Sequence, residues 1–316
     1  MGGKNTTHVL TADKKSISHA KKILRTGGLV AVPTETVYGL AARADSPEAV
    51  AKIYRAKGRP DFNPLIVHVE GLEQARELAE VDQRAELLAK RFWPGPLTMV
   101  LPLAAGAPVA PAVTAGLPTI ALRCPAHPAM QALLRETGLP LAAPSANPSG
   151  SVSPTSAAHV LAGLEGRIDA VIDGGSCSSG LESTIVALRA DGWQMLRPGP
   201  VGSAELEEVL GPPLAVSAGK IEAPGQLAQH YSPGKPLRLD VRSPENDEFM
   251  IGFGAIAGDS NLAPDGDLAA AASRLYECLH MAASSGKRRI AVAPVPMEGM
   301  GAAINDRLRR AAAPPS

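Results

Sequence analysis

The sequence is poor in cysteine and in aromatic residues. Its three cysteines, Cys124, Cys177 and Cys278, are far apart, and no two of them form a Cys-x-x-Cys pair. An odd number of widely spaced cysteines is typical of a reduced compartment and predicts neither a disulfide framework nor a zinc site. Aromatic residues make up only 3% of the chain. Because bases stack on aromatic side chains, this composition argues against a protein that binds single-stranded nucleic acid.

The sequence also lacks net charge and any membrane segment. It has 31 Lys and Arg against 31 Asp and Glu, so no overall field attracts nucleic acid or a membrane surface. The N-terminal residues contain no apolar core of signal-peptide length. The long uncharged stretch 92–122 is interrupted by six prolines, so no spanning helix of about 20 residues can form there. We expect a soluble, cytoplasmic protein.

The common nucleotide and metal motifs are missing as well. There is no Gly-x-x-x-x-Gly-Lys-Ser/Thr loop, and Gly252-Phe253-Gly254 lacks the third glycine of a dinucleotide fingerprint. The seven histidines show no His-x-x-x-His or other metal spacing. We therefore predict no metal site built from protein ligands alone.

What the sequence does contain is an irregular alternation of strand and helix patterns. Its 316 residues are enough for one large domain or two ordinary ones. Up to residue 211 the alternation favours an α/β fold with a mixed sheet. Residues 212–236 are rich in Pro and Gly without periodicity and are predicted to be a linker. A second, smaller α/β pattern covers 237–316.

The clearest single element is a helix that follows Ser46. Ser46 can cap its N-terminus, Pro47 suits its first turn, and Gly58 ends it. The segment before it, from Pro33, is interpreted as a polar turn that leads directly into the helix. Elsewhere, residues 72–91 predict one broken or two short helices, and strand patterns on both sides of 190–192 predict a hairpin.

Three cations, Arg55, Lys57 and Arg59, lie on alternate residues where this helix ends. Cations near a helix C-terminus are stabilised by a few tenths to about 1 kcal/mol each, and one or two of them would need no other explanation. Three in five positions, in a turn between two buried strands, repel one another unless an anion lies among them. The cluster therefore predicts an anion site.

Other polar residues lie at the ends of predicted strands, where open α/β sheets bind ligands. They are Thr119 and Arg123 on one strand, Ser145, Asn147 and Ser153 in the loop after the next, and Ser183 and Arg197 in the hairpin. Each alone is an ordinary turn residue or solvated charge, and for Thr119 or Ser153 singly that interpretation is favoured. Together with the basic cluster they form a plausible polyphosphate cradle, because arginine donates in pairs and lysine supplies a compact charge.

Two histidines have two interpretations each. His68 lies inside the apolar run 65–69, where a histidine is more often a neutral core residue than a catalytic group. His230 and Tyr231 lie in the linker. They belong either to an ordinary extended loop or to a lid that reaches back over the cleft of the first domain.

Several short motifs resemble the YrdC/Sua5 family of threonylcarbamoyl-AMP synthases. They are PTETVYGLA from Pro33, KGRP from Lys57, NPL from Asn63, PSAN from Pro144 and HYSP from His230. The resemblance covers most of the chain and extends to the long, Sua5-type members with a C-terminal domain. It implies a YrdC-like open twisted mixed sheet with helices in 1–211, a linker in 212–236, and a small Rossmann-like α/β domain in 237–316.

The resemblance also implies a reaction and its site. L-threonine, bicarbonate and ATP would give threonylcarbamoyl-AMP and pyrophosphate. Downstream proteins would then use the threonylcarbamoyl-AMP for the t6A modification of tRNA. Mg²⁺ would arrive with ATP, bound largely by phosphate oxygens and water. Lys57 and Arg59 would be the catalytic cations. ATP would be held by Arg55, Lys57, Arg59, Thr119, Ser145, Asn147, Ser153, Arg197 and His230, and threonine by Thr34, His68, Arg123, Ser183 and the backbone at Ala143.

Two other functions stay open from the sequence. A non-catalytic RNA-binding module could hold a sugar–phosphate backbone in a basic cleft, although the neutral charge and few aromatics count against it. A carbamoyl-adenylating enzyme with another substrate would share the same motifs. A salt series of tRNA binding tests the first alternative, and a panel of amino acids tests the second.

Overall fold

The computed structural model describes residues 6–60, 62–214 and 230–313. In these residues the chain forms a ten-stranded mixed sheet and a separate four-stranded parallel sheet, both packed with helices. The predicted fold class, an open mixed α/β sheet followed by a small parallel α/β unit, is confirmed. The predicted linker 212–236 falls partly on residues 215–229, which lie outside the described residues, and the three proposed domain boundaries stay predictions.

The large sheet combines parallel and antiparallel neighbours. Its strands are β1 (His8–Thr11), β2 (Val30–Val32), β3 (Gly39–Arg43), β4 (Ile66–His68), β5 (Leu97–Pro102), β6 (Thr119–Arg123), β7 (Leu141–Ala142), β8 (Ala170–Asp173), β9 (Thr184–Arg189) and β10 (Gly192–Arg197). Their spatial order is β1-β8-β2-β3-β7-β4-β6-β5-β9-β10. The parallel pair β4 and β6 lies near the middle, so its carboxyl ends meet well inside the molecule.

Helices cover both faces of this sheet. They are α1 (Lys14–Arg25), α2 (Pro47–Lys57), α3 (Leu72–Arg76), α4 (Gln83–Phe92), α5 (Pro111–Thr114), α6 (Pro128–Thr137), α7 (Ala157–Leu164) and α8 (Ser203–Leu210). Ala31 joins a core cluster with Ile53 of α2, whereas its neighbour Val30 joins one with Leu24 of α1 and Leu133 of α6. Since successive strand residues point to opposite faces, the two clusters lie on opposite sides of the sheet.

The C-terminal unit repeats this arrangement on a smaller scale. It contains β11 (Leu237–Arg238), β12 (Glu248–Gly252), β13 (Ser260–Asn261), α9 (Leu268–Ser284), β14 (Arg289–Val292) and α10 (Met300–Ala312). Its core is continuous with the first unit, because Val37, Val152 and Leu181 belong to the same buried cluster as Leu275 of α9. Contacts between the two units therefore bury apolar side chains on both sides.

The helix α2 begins and ends as its sequence predicts. The Ser46 hydroxyl accepts a hydrogen bond from the Ala49 amide at 3.2 Å, Pro47 is the first helical residue, and Gly58 adopts φ 59° at the C-cap. That conformation is unfavourable for residues with a Cβ. The cap turns the chain so that Arg59 leaves the helix toward the sheet.

We expect Gly58→Ala to lower the free energy of unfolding by about 1 kcal/mol, because a Cβ at positive φ is strained. No heavy atom lies within 4 Å of a Cβ built at Gly58, so the effect isolates backbone strain. Urea denaturation measures it. Gly286→Ala is the matched control, since Gly286 has the same open surroundings without positive φ. Equal stability of the two variants would contradict this account of the cap.

The strand β3 is the main element that the sequence does not predict. Its residues, Gly39–Arg43, are mostly Gly and Ala, and such residues have little intrinsic preference for strands. The strand forms because it pairs antiparallel with β2 on one side and β7 on the other. The turn that was expected to lead directly from Pro33 to α2 therefore contains a sheet strand. By contrast, the two short helices α3 and α4 and the hairpin β9–β10 confirm their predictions.

The described residues contain no helix that combines the length and apolar character needed to span a bilayer.

Candidate active site

A cleft opens at the carboxyl ends of β4 and β6. Their last residues, His68 and Arg123, are register partners in the parallel pair, so both side chains reach the same edge of the sheet. The cleft encloses about 540 Å³ of non-atom space, part of it open to solvent. Most of the residues that line it have polar side chains, and they come from the first unit and from the HYSP segment.

Most of the predicted site residues meet in this cleft. All five residues of the expected threonine group line it, namely Thr34, His68, Arg123, Ala143 and Ser183. Of the expected ATP group, Arg59, Ser145, Arg197 and His230 line it. Lys57, Asn147 and Ser153 do not line it, but each is buried and bonded to the loops that form its wall.

Lys57 lies behind the cleft wall. Its Nζ donates to the Ser145 carbonyl at 2.5 Å and also to the Asn147 carbonyl. Burial, with a smaller effect of the Arg59 charge, holds the pKa of Lys57 well below its ordinary value. The contacts of Lys57 therefore attach the end of α2 to the PSAN loop, and of the two predicted catalytic cations only Arg59 faces the cleft.

Arg59 is buried, and its hydrogen bonds to described residues go to backbone carbonyls. Its Nε and Nη2 donate to the carbonyls of Asn63 and Pro64 at 3.4 and 3.0 Å. Burial lowers its pKa to about 10, so the guanidinium is charged at neutral pH. Among described residues it forms no ion pair with a carboxylate. A buried cation in this situation is stabilised by an anionic ligand.

Arg197 connects the two halves of the cleft. Its Nη2 donates to both the carbonyl and the hydroxyl of Ser183, at 2.9 and 3.1 Å. The same Ser183 hydroxyl lies 2.7 Å from the Thr98 hydroxyl. Because Ser183 belongs to the expected threonine group and Arg197 to the expected ATP group, one hydrogen-bonded chain joins the two parts of the site.

Arg123 is held in place by a carboxylate that the sequence reasoning did not select. Its Nη2 donates to Glu35 Oε1 at 2.7 Å, and the Ala126 amide donates to Glu35 Oε2 at 2.9 Å. Burial alone would raise the pKa of Glu35, but the Arg123 charge and these hydrogen bonds lower it. The pair is therefore ionised, and Glu35 orients the guanidinium at the edge of the cleft.

His68 is buried with neither ring nitrogen bonded to a described residue. Burial, then the Arg123 charge, holds its pKa well below the ordinary value, so the imidazole is neutral. An unsatisfied buried polar group costs about 1–3 kcal/mol. Since His68 lines the cleft, a polar group of a ligand would remove this cost. This observation favours the binding interpretation of His68 over that of a satisfied core residue.

The HYSP segment reaches back over the cleft, as the lid interpretation requires. His230 and Tyr231 both line the cleft, and their rings meet edge to face with centroids 4.1 Å apart. Tyr231 adopts φ 65° although it is not glycine. Such conformations cost on the order of 1–3 kcal/mol and persist where the surroundings enforce them, often at functional sites.

We expect His230 to make the protein less stable in acid. Burial lowers its pKa to about 3, against about 6.5 in an unfolded chain. Below pH 6.5 the unfolded chain therefore binds a proton that the native state excludes, so stability falls as the pH falls. Between pH 7 and pH 5 the difference is on the order of 2 kcal/mol.

Urea denaturation of His230→Gln at both pH values checks this effect. The variant should lose less stability on acidification than the unsubstituted protein does. His19→Gln is the control, since His19 is exposed on α1, and its pH dependence should stay unchanged. If His230→Gln kept the full loss, the proton-excluding role of His230 would be ruled out.

Two predicted ATP residues lie outside the cleft. Arg55 is exposed and lines a separate depression with Lys52, Arg167 and Asp169. The reason is helical geometry. Residues two positions apart in an α-helix, such as Arg55 and Lys57, are about 200° apart around its axis, and Lys57 faces inward. The three cations therefore do not form one cluster, and this part of the sequence interpretation is corrected.

Thr119 is displaced for a similar geometric reason. It begins β6, where it pairs with Pro102, whereas Arg123 ends the strand at the cleft. Four strand residues span about 13 Å. Thr119 is not among the residues that line the cleft, and its contact with ATP stays a prediction.

Sequence reasoning missed one carboxylate in the cleft wall, Glu182. Its Oε1 accepts from the Ser153 hydroxyl at 2.5 Å, and its Oε2 accepts from Tyr276 and from Arg307 at 2.8 and 3.0 Å. Its position directly before Ser183 was a usable signal. No sequence pattern connects it to Arg307, because the two residues are far apart in the chain and meet only through packing.

Comparison with known proteins agrees with this geometry. Residues 22–199 match the model of the Sua5/YciO/YrdC family, which carries the description "telomere recombination". Residues 201–313 match the C-terminal domain of threonylcarbamoyl-AMP synthase. The chain belongs to the Sua5/YciO/YrdC family. The second match confirms the expected long, Sua5-type form.

Relatives and solved structures extend the similarity over nearly the whole chain. The threonylcarbamoyl-AMP synthase of Bacillus subtilis is 46% identical over 254 residues, covering 78% of this chain and 73% of the relative. That of Pyrococcus abyssi is 39% identical over 317 residues and covers 92% of each chain. The crystal structure of P. abyssi Sua5 complexed with L-threonine matches with a TM-score of 0.89 at 36% identity, over 97% of this chain and 98% of that one.

A shorter family member matches only part of the chain. Escherichia coli YciO superposes with a TM-score of 0.56 at 26% identity, over 64% of this chain but 98% of its own.

Proposed function

We propose that the protein is a threonylcarbamoyl-AMP synthase. It combines L-threonine, bicarbonate and ATP into threonylcarbamoyl-AMP, pyrophosphate and water. One observation carries the proposal. The residues expected to bind ATP, among them Arg59 and Arg197, and those expected to bind threonine line a single cleft and are joined through Arg197 and Ser183.

The reaction needs no protein nucleophile. The threonine amine attacks the carbon of bicarbonate, water leaves, and a carbamate results. A carbamate oxygen then attacks the α-phosphorus of ATP, and the bond to pyrophosphate breaks. The protein positions the three reactants, stabilises the charge of the leaving pyrophosphate, and keeps the labile carbamate away from bulk water. The described side chains of the cleft suit these tasks.

Threonine occupies the end of the cleft near β4 and β6. Arg123, held by Glu35, binds its carboxylate through paired donors. His68 offers two unsatisfied ring nitrogens to the polar groups of the substrate. Thr34, Ser183 and the backbone at Ala143 complete this half of the site. A ligand without the hydroxyl would leave a buried polar group unpaired, which discriminates more strongly than shape.

ATP occupies the half that Arg59, Ser145, Arg197 and His230 line. Arg59 neutralises the leaving pyrophosphate, and Lys57 acts indirectly by fixing the PSAN loop. Mg²⁺ enters as part of the ATP complex. Phosphate oxygens and water would supply most of its ligands, as is usual for Mg²⁺ bound with a nucleotide.

Pyrophosphate release tests the proposal. Release should require ATP, threonine and bicarbonate, with each omission reducing it to background. A panel of amino acids tests the alternative substrate, and 2-aminobutyrate, which lacks only the hydroxyl, should be turned over at least about 100-fold less well. Tight binding of tRNA without threonine-dependent consumption of ATP would instead favour the RNA-binding alternative.

The product implies partners downstream. Threonylcarbamoyl-AMP is a mixed anhydride that water hydrolyses, so an enzyme that transfers the threonylcarbamoyl group must take it up soon after release. We propose that these partners carry out the t6A modification of tRNA. Weak direct binding of RNA and a cytoplasmic location stay predictions from the sequence.

A further inference from the structure

Glu182 presents a negative charge to a cleft that we propose binds ATP. It lines the cleft together with Arg59 and Arg197. Burial alone would raise its pKa, but the charges of Arg307 and Arg197 and two hydrogen bonds lower it to about 2. The carboxylate is therefore ionised at neutral pH. A buried anion beside a polyphosphate would weaken binding unless another group cancels its charge.

The cancelling group comes from the C-terminal unit. Arg307 lies on α10, its side chain is fully buried, and its Nε donates to Glu182 Oε2 at 3.0 Å. Tyr276 of α9 donates to the same oxygen at 2.8 Å. The Arg307 guanidinium also lies 5.5 Å from the ring centroid of Tyr231 in the lid segment. One arginine thus contacts the cleft carboxylate and the segment that covers the cleft.

The neighbouring carboxylate does not use up the charge of Arg307. Asp306 Oδ2 accepts from Arg307 Nη1 at 2.9 Å, but Asp306 also accepts from Arg310 Nε at 3.1 Å through both oxygens. Because Arg310 balances Asp306, the charge of Arg307 remains for Glu182. Two arginines and two carboxylates thus give a neutral group at the junction between the units.

The packing at this junction is close and leaves little room for rearrangement. A Cβ built on Gly180 would lie 2.4 Å from Ser273 Cα of α9. The backbone before Glu182 therefore rests directly on that helix. His280 of the same helix lies 3.1 Å from the Ser153 carbonyl, and the Ser153 hydroxyl bonds Glu182. The C-terminal unit thus sets the position of this cleft wall as well as its charge.

We propose that Arg307 is a positioning residue which neutralises Glu182 from behind the cleft and so keeps the positive charge of Arg59 available for the phosphates of ATP. Without Arg307, the uncancelled charge of Glu182 would repel the nucleotide. The C-terminal unit therefore takes part in nucleotide binding although none of its described residues, 237–313, lines the cleft. This inference rests on the proposed function, since it assumes that the cleft binds ATP.

A double-substitution cycle tests the inference. The variants are Arg307→Met, Glu182→Gln and the two combined, and calorimetry measures the dissociation constants of ATP, pyrophosphate and threonine. We expect Arg307→Met to weaken the binding of ATP and of pyrophosphate at least about tenfold. The dissociation constant of threonine should change less than about threefold. The double variant, which has neither charge, should bind ATP within about threefold of the unsubstituted protein.

Recovery in the double variant separates charge from packing. A purely structural role of Arg307 predicts that the second substitution adds to the damage, because Glu182→Gln removes a further bonded group. Arg309→Met is the matched control, since Arg309 is exposed on the same helix, and it should bind ATP normally. Circular dichroism checks that each variant folds. If Arg307→Met alone does not fold, ATP binding by the folded double variant still tests whether the two charges cancel.

The outcomes distinguish this inference from the proposed function. Unchanged ATP binding in Arg307→Met, or tenfold weaker binding in a folded double variant, overturns the role of Arg307. If the unsubstituted protein binds ATP but releases no pyrophosphate with threonine and bicarbonate, the proposed function fails while the binding cycle still decides the inference. If it binds neither ATP nor pyrophosphate, both fail.

Discussion

Substitution of Arg59 by alanine is expected to reduce threonine-dependent pyrophosphate release at least about 100-fold, the typical effect of removing one donor that stabilises developing charge. Arg59 lines the cleft and forms no ion pair with a carboxylate among the described residues. Its charge therefore acts on the ligand. Because charge builds on pyrophosphate as the bond to the α-phosphorus breaks, the loss should fall mainly on kcat.

Arg55→Ala is a stringent control for this experiment. It removes the same type of side chain from the last turn of the same helix, but Arg55 is exposed and lines a different depression. We expect its activity within about twofold of the unsubstituted protein, as for other surface substitutions. Near-normal activity of both Arg59→Ala and Arg55→Ala would contradict the ATP assignment of Arg59. A large and equal loss in both would instead support the single cationic cluster that the sequence alone suggested.

Substitution of Arg123 by methionine is expected to weaken threonine binding at least about 100-fold while ATP binding changes less than about threefold. Truncating one partner of a buried charge pair costs about 2–5 kcal/mol. Here the loss has two sources, because the substrate carboxylate loses its donors and Glu35 stays buried without a countercharge. Calorimetry with threonine and with ATP measures the two affinities separately.

The structure provides a control for this second substitution too. Arg135 is an exposed arginine on α6, and among the described residues its side chain donates a hydrogen bond only to Gln131 Oε1, at 3.3 Å. Arg135→Met should therefore bind threonine normally. The unfolding temperature of Arg123→Met must also be measured, since an unpaired Glu35 lowers stability. A threonine affinity within tenfold of normal in a folded Arg123→Met protein would contradict the assignment of Arg123 to the threonine carboxylate.

The two substitutions should leave different kinetic signatures. Arg59→Ala should lower kcat with modest effects on either KM, whereas Arg123→Met should raise the KM for threonine. This difference follows from position, because Arg123 ends β6 at the threonine half and Arg59 follows α2 at the nucleotide half. A shared loss of both parameters in both variants would indicate a folding defect rather than two binding subsites.

Local sequence signals predicted the helices well. Ser46, Pro47 and Gly58 marked the limits of α2, and the pattern of residues 72–91 predicted the short helices α3 and α4. Caps and helix periodicity act within a few residues, so they can be recognised without knowledge of the fold. The strand β3 had no such signal, because its Gly and Ala residues become a strand only between β2 and β7.

The candidate site shows the same division between local and distant effects. The family resemblance implied residues that line the cleft, including His68 and Arg123. It also implied Arg55 and Thr119, and the structure does not bring either to the cleft lining. Spacing on alternate residues suggested one cationic cluster. The helical turn instead directs Lys57 inward, while Arg55 of the same turn remains exposed.

By itself the sequence determined the α/β class, the helix limits, the family and most of the residue types around the cleft, because these depend on short patterns. Only the tertiary structure decided which cations face a ligand and which carboxylates balance them. Glu35 with Arg123, and Glu182 with Arg307, are pairs of residues distant in sequence. Such pairs arise from the packing of whole elements. The charge state and the energetic cost of a buried ionisable group therefore depend on neighbours that no local pattern specifies.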